Sequence, residues 1–461
     1  MPARTIALIS AGIFVFTAGV VLALWWAGTA GLSGQALVTA RFDALRTGLS
    51  IGIGSGGIFA LYLAWRRQHA TEVALLQKER DHELQLDVTE HTRLDAEARR
   101  VTELYSKSSE QLGSDKAPVR LAGLYALERL AQDNPDQRQT VVNVLCAYLR
   151  MPYTLPVAPP ADDTDEATRT RHDTSLQERE VRFTAQNILT GHLYPGPTPD
   201  DPIPTFWPDT DLNLTGAALI EFDLAHGQVR NARFDKATFA GDAQFGGTMF
   251  TGTAWFAGAM FTGDARFDKA TFAGDAQFGG TMFTGTAWFG GATFTGDAQF
   301  GGARFAGTAW FGGAMFTGDA RFDGARFAGT AWFGGAMFTG DARFDGATFA
   351  GDAQFDKATF TGTADFDKTT FTGDAQFDRT TFTGNAEFDG VTFGGTARFS
   401  GATFTTTAVF SEATFAGKVW FDKAITRHPF SNSNWPAGWT PTDDHTPIGG
   451  REGTWHLLQR T

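Results

Sequence analysis

From Phe239 to Phe278 the chain reads FAGDAQFGGTMFTGTAWFAGAMFTGDARFDKATFAGDAQF, with phenylalanine at 239, 245, 250, 256, 261, 267, 272 and 278. The intervals alternate between six and five. Neither the 3.6-residue period of a helix nor the two-residue period of a long strand produces this spacing, so each Ala-x-Phe is a short extended piece followed by a turn. The lattice runs without exception from Phe234 to Phe421 and holds 35 of the 43 phenylalanines. Its inward ladder begins Phe234, Phe239, Phe245, Phe250, Phe256, Phe261, Phe267, Phe272, Phe278, Phe283, Phe289 and Phe294. Two positions before each Phe stands Ala in 29 of 35 cases, the exceptions being Thr248, Thr281, Thr369, Thr380, Val391 and Val419. A small and a large residue on the same side of each piece would fill a narrow coil interior.

The six-residue intervals carry Gly two positions after the Phe, at Gly241, Gly252, Gly263, Gly274, Gly285 and onward, in 16 of 17 cases, with Thr406 the exception. Glycine reaches positive φ without a Cβ penalty, so the sequence predicts left-handed backbone at these widened corners. Two pairs of intervals make a coil of 22 residues, and the 187 residues from Phe234 to Phe421 make 8.5 coils. At ~4.8 Å between stacked strands the rod would be ~41 Å long, beyond a first coil of fives built on Leu214, Leu219, Leu224 and Val229. Such stacks need caps, and the preceding helix at one end and Trp435, Trp439 and Trp455 at the other are the candidates.

Upstream, Ile6 to Gly28 is apolar throughout and long enough as a helix to cross a bilayer. Thr47 to Trp65 is a second uncharged stretch, with Gly48, Gly52 and Gly56 spaced for close packing against the first. Residues 1–65 therefore read as a transmembrane hairpin. Arg4 before the first span and Arg66 and Arg67 after the second put both ends in the cytoplasm, with Arg41 and Arg46 in the loop weighing the other way. Residues 66–100, rich in Glu, Arg and Gln, read as a helical stalk, and a coiled-coil homo-oligomer through it stays open. Residues 101–151 read as three short amphipathic helices. The segment VRLAGLYALERLA (119–131) resembles a HEAT-type helix, and Val141, Val144, Leu145, Tyr148 and Leu149 form the stripe that would pack on it. Cys146 beside that stripe reads as a buried, inert thiol. Residues 152–208 read as a linker, disordered over 152–175, with a short capping helix in which His192 faces the last carbonyls. Residues 425–461 form the tail.

The run DLNLTGAAL (211–219) and the Ala-x-Phe lattice resemble the pentapeptide-repeat proteins. The resemblance implies an all-β right-handed quadrilateral β-helix, a solenoid spanning 209–424 behind the helical hairpin and module. The hairpin followed by LYSKSSEQLGSDKAPVRLAGLYALERLA (104–131) looks like the leader of actinobacterial, membrane-anchored members.

Composition bounds the chemistry. One cysteine in 461 residues excludes a disulfide framework or a multi-cysteine zinc site. With 38 basic and 51 acidic side chains the formal charge is −13, which opposes wrapping of nucleic acid, and no direct nucleic-acid binding is expected. Residues 233–424 hold 20 acids and 14 bases and no histidine. The recurring Asp264, Asp275, Asp297, Asp319 and Asp341, with Arg266, Arg321 and Arg343, read as a solvated face of alternating charge rather than a metal site. No phosphate loop, paired-histidine helix or Ser-His-Asp set is present, so no catalytic residue, metal ligand or cofactor is assigned. The expected function is a non-enzymatic, membrane-anchored scaffold, with the bilayer and a protein as partners. The alternative, DNA mimicry directed at a type II topoisomerase as in some members of the family, meets a net charge of only −6 over the rod.

Overall fold

The structure, a computed structural model, describes residues 3–155, 165–198, 200–427, 433–442 and 454–461. The chain divides into two compact units, Met1–Arg100 and Val101–Thr461. In the first, helix α1 (Ala3–Thr29) and the start of helix α2 (Gln35–Leu112) are both long and apolar enough to cross a membrane. Val21 and Thr17 of α1 lie where a Cβ on Gly48 and Gly52 would stand, so these two glycines are the close approach; Gly56 has no neighbour within 4 Å and takes no part. Arg41 of α2 adds a contact to α1, its guanidinium 5.2 Å from the Trp25 ring centroid.

Helix α2 is continuous over its 78 residues, so stalk and first module helix are not separate elements. No Gly or Pro interrupts 66–112, and nothing in the backbone stops the helix before Gly113. Helix α3 (Ala117–Asp133) carries Pro118 as its second residue, where the missing N–H is harmless in the first turn, and a 3₁₀ turn (Pro135–Gln137) leads to α4 (Arg138–Leu149). Helix α5 runs from Glu166 to His192, so the predicted disorder over 152–175 is wrong from residue 166 on; residues 156–164 of that stretch lie outside the described residues. Asp165 starts α5 by accepting from the Thr168 amide at 2.9 Å. Val181, Ala185, Ile188 and Leu189 of α5 join Leu124, Leu127, Val141, Leu145 and Leu149 in one core. The helix is thus a full member of the module.

The solenoid has four faces of parallel two- and three-residue strands, whose first strands, in order around the coil, are Leu212–Asn213, Ala218–Ile220, Ala243–Gln244 and Gln228–Val229; the first coil meets the third face through the single bridge of Asp223 to Gln244. Rungs repeat every 22 residues, as in Ala265 opposite Ala287 and Ala287 opposite Ala309, while the first coil is shorter, with Leu212 opposite Ala232. Each face carries one column of phenylalanine rings. Phe267 stacks on Phe289 at 4.9 Å and 2°, and Phe289 on Phe311 at 4.7 Å and 1°. Columns of opposite faces interleave edge to face, with Phe278 and Phe289 at 5.4 Å and 89°. Where Thr replaces the inward Ala, its hydroxyl donates to a carbonyl of the preceding coil: Thr281 to Phe256 at 2.7 Å and Thr369 to Phe344 at 2.7 Å. No polar atom is left stranded by those exceptions.

The corners reverse the prediction. Of the corner glycines in six-residue intervals, only Gly241 has positive φ (76°). Left-handed backbone sits instead two residues after every Phe that opens a five-residue interval, from Lys236 (56°) through Gly313 (65°) to Glu412 (55°), and again at Lys423 (60°) after Phe421. There the Ala amide returns to the Phe carbonyl, as Ala314 to Phe311 at 3.0 Å, closing a four-residue turn whose third residue must be left-handed. Glycine holds the six-residue corners for another reason. A Cβ on Gly318 would stand 2.6 Å from the Gly296 carbonyl oxygen, and one on Gly340 2.6 Å from that of Gly318. Backbone packs on backbone between coils, and no side chain fits.

Two glutamines cap the first coil. Gln139 of α4 donates to the Asp211 carbonyl and accepts from its amide, both at 2.9 Å. Gln186 of α5 does the same at Ile220, at 2.8 and 2.9 Å. Each carboxamide imitates one rung of the missing preceding coil. At the other end Trp435 lies 5.3 Å from Phe404 and 6.0 Å from Phe421, Trp439 lies 5.6 Å from Phe421, and His456–Arg460 pairs antiparallel with Ile425–Thr426. The reversed strand ends the parallel stack.

Two outcomes follow for stability. Gly318→Ala is expected to cost about 3 kcal/mol because backbone must move, whereas Gly313→Ala, with open space around its Cβ, costs about 1 kcal/mol of left-handed strain. Denaturant unfolding of the two variants checks the order, and equal losses would refute the backbone-contact explanation. Gln186→Ala is expected to lower stability by about 2 kcal/mol, since the Ile220 amide and carbonyl lose their partners inside a buried edge. Thermal unfolding monitored by tryptophan fluorescence measures it.

Candidate interaction surface

The rod has no interior room: its inward Phe and Ala are buried from Ala232 to Phe410, and only Ala413 and Phe415 in the last coil are partly exposed. Whatever it recognises must meet the outward residue of each strand, and the 22-residue register arranges these in columns. On the third face Trp288, Trp310 and Trp332 are consecutive rungs, with ring centroids 5.7 and 4.8 Å apart. They lean toward corners made of glycine pairs; a Cβ on Gly290 would come 3.0 Å from Trp310 Cδ1. The Trp288 indole N–H is buried without an acceptor among the described residues. The second and fourth faces add Met260, Met315 and Met337, each about 40% exposed, at 40%, 39% and 44%.

The first face changes sign along its length. Arg321 and Arg343 are followed by Asp365 and Glu387 on successive rungs. Arg321 reaches Asp319 at 3.5 Å and Arg343 reaches Asp341 at 3.9 Å, part-exposed pairs of little energetic weight. Beside them a hollow of about 400 Å³ is lined by Asp341, Arg343, Asp345, Thr363, Asp365 and Glu387. Oxygens of Asp365, Asp367 and Glu387 lie within 4.8 Å of one another, the group among the described residues that offers three carboxylates to a cation. Half-burial, then neighbouring carboxylates, pushes all three above the ordinary carboxylate range; for Asp365 the Asp345 charge adds to the burial.

The repeated aspartates are not merely solvated, as their sequence pattern suggested. Asp297 Oδ1 accepts from the Asp319 amide (3.1 Å), Asp319 from the Asp341 amide (3.2 Å) and Asp341 from the Thr363 amide (3.0 Å). Each carboxylate staples its coil to the next by a charge-assisted bond. The Thr-Gly-Asp spacing signals this only once the coil length of 22 is applied to it.

In the helical module Cys146 is fully buried, and burial pushes its thiol up to about 11, as expected of an inert cysteine. His192 does not face its helix's last carbonyls. Its Nδ1 meets the Thr205 carbonyl (2.6 Å), its Nε2 meets Glu128 of α3 (2.9 Å), and its ring stacks on Trp207 at 3.9 Å. The histidine thus ties α5 to α3 and to the approach to the rod. Sequence reading missed Arg182, buried among the apolar residues of α5; its neighbours Val181 and Ala185 marked the face, but the charge disguised it.

A family profile described as pentapeptide repeats (9 copies) matches residues 228–271, 256–304, 278–326, 300–348, 333–381, 344–392 and 377–425. No curated protein and no solved structure matches the chain.

A pH dependence follows from the raised carboxylates. Because their folded-state pKa values exceed the unfolded ones, the folded state binds more protons, and their contribution to stability falls as pH rises from about 4 through the raised values. Asp211, lowered by the Arg230 guanidinium, works in the opposite direction, its stabilisation being lost as pH falls. Substituting Asp365→Asn together with Glu387→Gln is expected to raise the melting temperature at pH 7.5 and leave it nearly unchanged at pH 4. A shift of the same size at both pH values would contradict the assignment.

Proposed function

We propose, from the premise that residues 228–425 make this chain a pentapeptide-repeat protein, that it is a non-enzymatic scaffold anchored in a membrane, its rod presenting repetitive faces to a protein partner. The filled phenylalanine core carries this reading, because it leaves recognition to the outward columns. The anchor is supported by the first two helices, where Leu8, Phe14, Phe16, Trp26, Ile53 and Leu61 are all more than half exposed, at 72%, 75%, 61%, 83%, 76% and 72%. In water such a surface is costly; in lipid it is the ordinary exterior of a spanning pair. Arg4, Arg66 and Arg67 favour both ends on the cytoplasmic side. A mixed surface of aromatic, thioether and paired charged side chains suits a protein partner better than a polyanion-binding one.

Alkaline carbonate extraction is expected to leave the full chain in the membrane pellet and to release a chain lacking residues 1–65. Phosphatase fused at Gln35 should be active outside the cytoplasm, and phosphatase fused after Thr461 should be silent. For the scaffold itself, cross-linked partners captured from membranes should change when Trp288, Trp310 and Trp332 are replaced by Gln. An identical set with residues 211–424 removed would end the proposal.

A further inference from the structure

We propose that the helical module contains a binding site for a small amphipathic carboxylate, in the groove between the end of α2 and helices α3, α4 and α5. The groove has a volume of about 510 Å³, within the range of small-molecule sites. Leu112, Val144, Ala147, Met151 and Pro152 supply its apolar walls. Its polar end is built from Ser109, Arg120, Tyr148, Glu178 and Arg182.

The hydrogen bonds at that end are nearly complete. Glu178 accepts from the Tyr148 hydroxyl (2.9 and 3.0 Å), from Arg182 Nε (2.8 Å) and from Arg120 Nη2 (3.1 Å). Burial and the Glu178 charge hold the Tyr148 hydroxyl well above its usual range, so it stays a donor. Arg182 spends its remaining nitrogens on the carbonyls ending α4, Nη1 on Leu149 (2.9 Å) and Nη2 on Met151 (2.8 Å), with its guanidinium 4.7 Å from the Tyr153 ring. Arg120 Nη1 donates to the Ser114 carbonyl (2.8 Å).

Two donors are left over, and both belong to residues lining the groove. Arg120 Nε and Ser109 Oγ are buried without a partner among the described residues. The adjacent Ser108 returns its hydroxyl to the Leu104 carbonyl (2.7 Å), the ordinary solution on a helix, and Ser109 does not. A buried donor without an acceptor is expensive, which makes an incoming acceptor favourable. Charge selects its kind: Arg120 and Arg182 against Glu178 leave one positive charge over on side chains only 11%, 2% and 23% exposed, so a carboxylate is favoured over a neutral acceptor and a cation is disfavoured. The apolar walls then demand a hydrocarbon or aromatic body. This site is independent of the rod and of the scaffold reading.

Fluorine NMR of p-trifluoromethylbenzoate with the full chain in lipid nanodiscs tests it, with empty nanodiscs as blank and p-trifluoromethylbenzyl alcohol as the neutral probe. The benzoate is expected to bind at least tenfold more tightly than the alcohol. Ala147→Trp, at an exposed position on the groove wall, should abolish binding of both, and Ser109→Ala should weaken the benzoate severalfold. Arg120→Met should erase the preference for the anion; if circular dichroism shows that variant unfolded, the other two decide. Binding no greater than in empty nanodiscs at millimolar benzoate, or binding unchanged by Ala147→Trp, would overturn the proposal.

Discussion

Phenylalanine rings stacked face to face need nearly the same spacing as hydrogen-bonded strands, and the rod rests on that coincidence. Parallel strands lie about 4.8 Å apart, and the rings of Phe305 and Phe327 lie 4.8 Å apart at 0°. Side-chain stacking and backbone pairing are therefore satisfied by one translation. A bulkier ring would open the coils, and a smaller side chain would leave a void down the axis. The inward Ala two residues earlier is the complement, giving each ring the space that its partner on the opposite face requires.

The corners and ends follow from that spacing. With coils this close, the six-residue corner of one lies on that of the next, and a Cβ at Gly318 would meet the carbonyl below. The five-residue corner is less crowded but must take left-handed backbone, which Lys357, Lys368 and Arg379 accept at φ of 57°, 57° and 59°. Strain there is tolerable while a collision is not, so glycine is nearly uniform at one corner and optional at the other. At the ends the translation has no further rung. Gln139 and Gln186 supply imitation peptide groups at the first coil, and an antiparallel strand with Trp435 and Trp439 closes the last.

The phenylalanine lattice was legible in the sequence because it is a period, and so was the coil length. The conformation of the corners was not. Glycine marks positive φ and steric crowding alike, and only the lysines at the five-residue corners, read as φ-bearing positions, would have separated the two. Helix α5 was misread because the acidic, proline-containing stretch before it masked a start at Asp165. The cap glutamines were invisible, since a carboxamide that imitates a peptide group has no sequence pattern of its own. The Glu178 cluster was hidden for a similar reason: Arg120, Tyr148 and Arg182 lie on three helices and meet only on folding.

Repetition also separates the two sides of each strand. Inward, along the first face, Ala254, Ala276, Ala298, Ala320, Ala342 and Ala364 do not vary, because each must fit the same ring. Outward, the same rungs carry Trp255, Gln277, Gln299, Arg321, Arg343 and Asp365. The core places no demand on these, so aromatic, neutral, basic and acidic groups can succeed one another without disturbing the coil. A surface free to change beside a core that cannot is what a recognition rod requires. The helical module works the opposite way: Tyr148, Arg182 and Arg120 converge on one carboxylate, Glu178, and among the described residues Arg120 Nε and Ser109 Oγ of the groove lining stay buried without a partner.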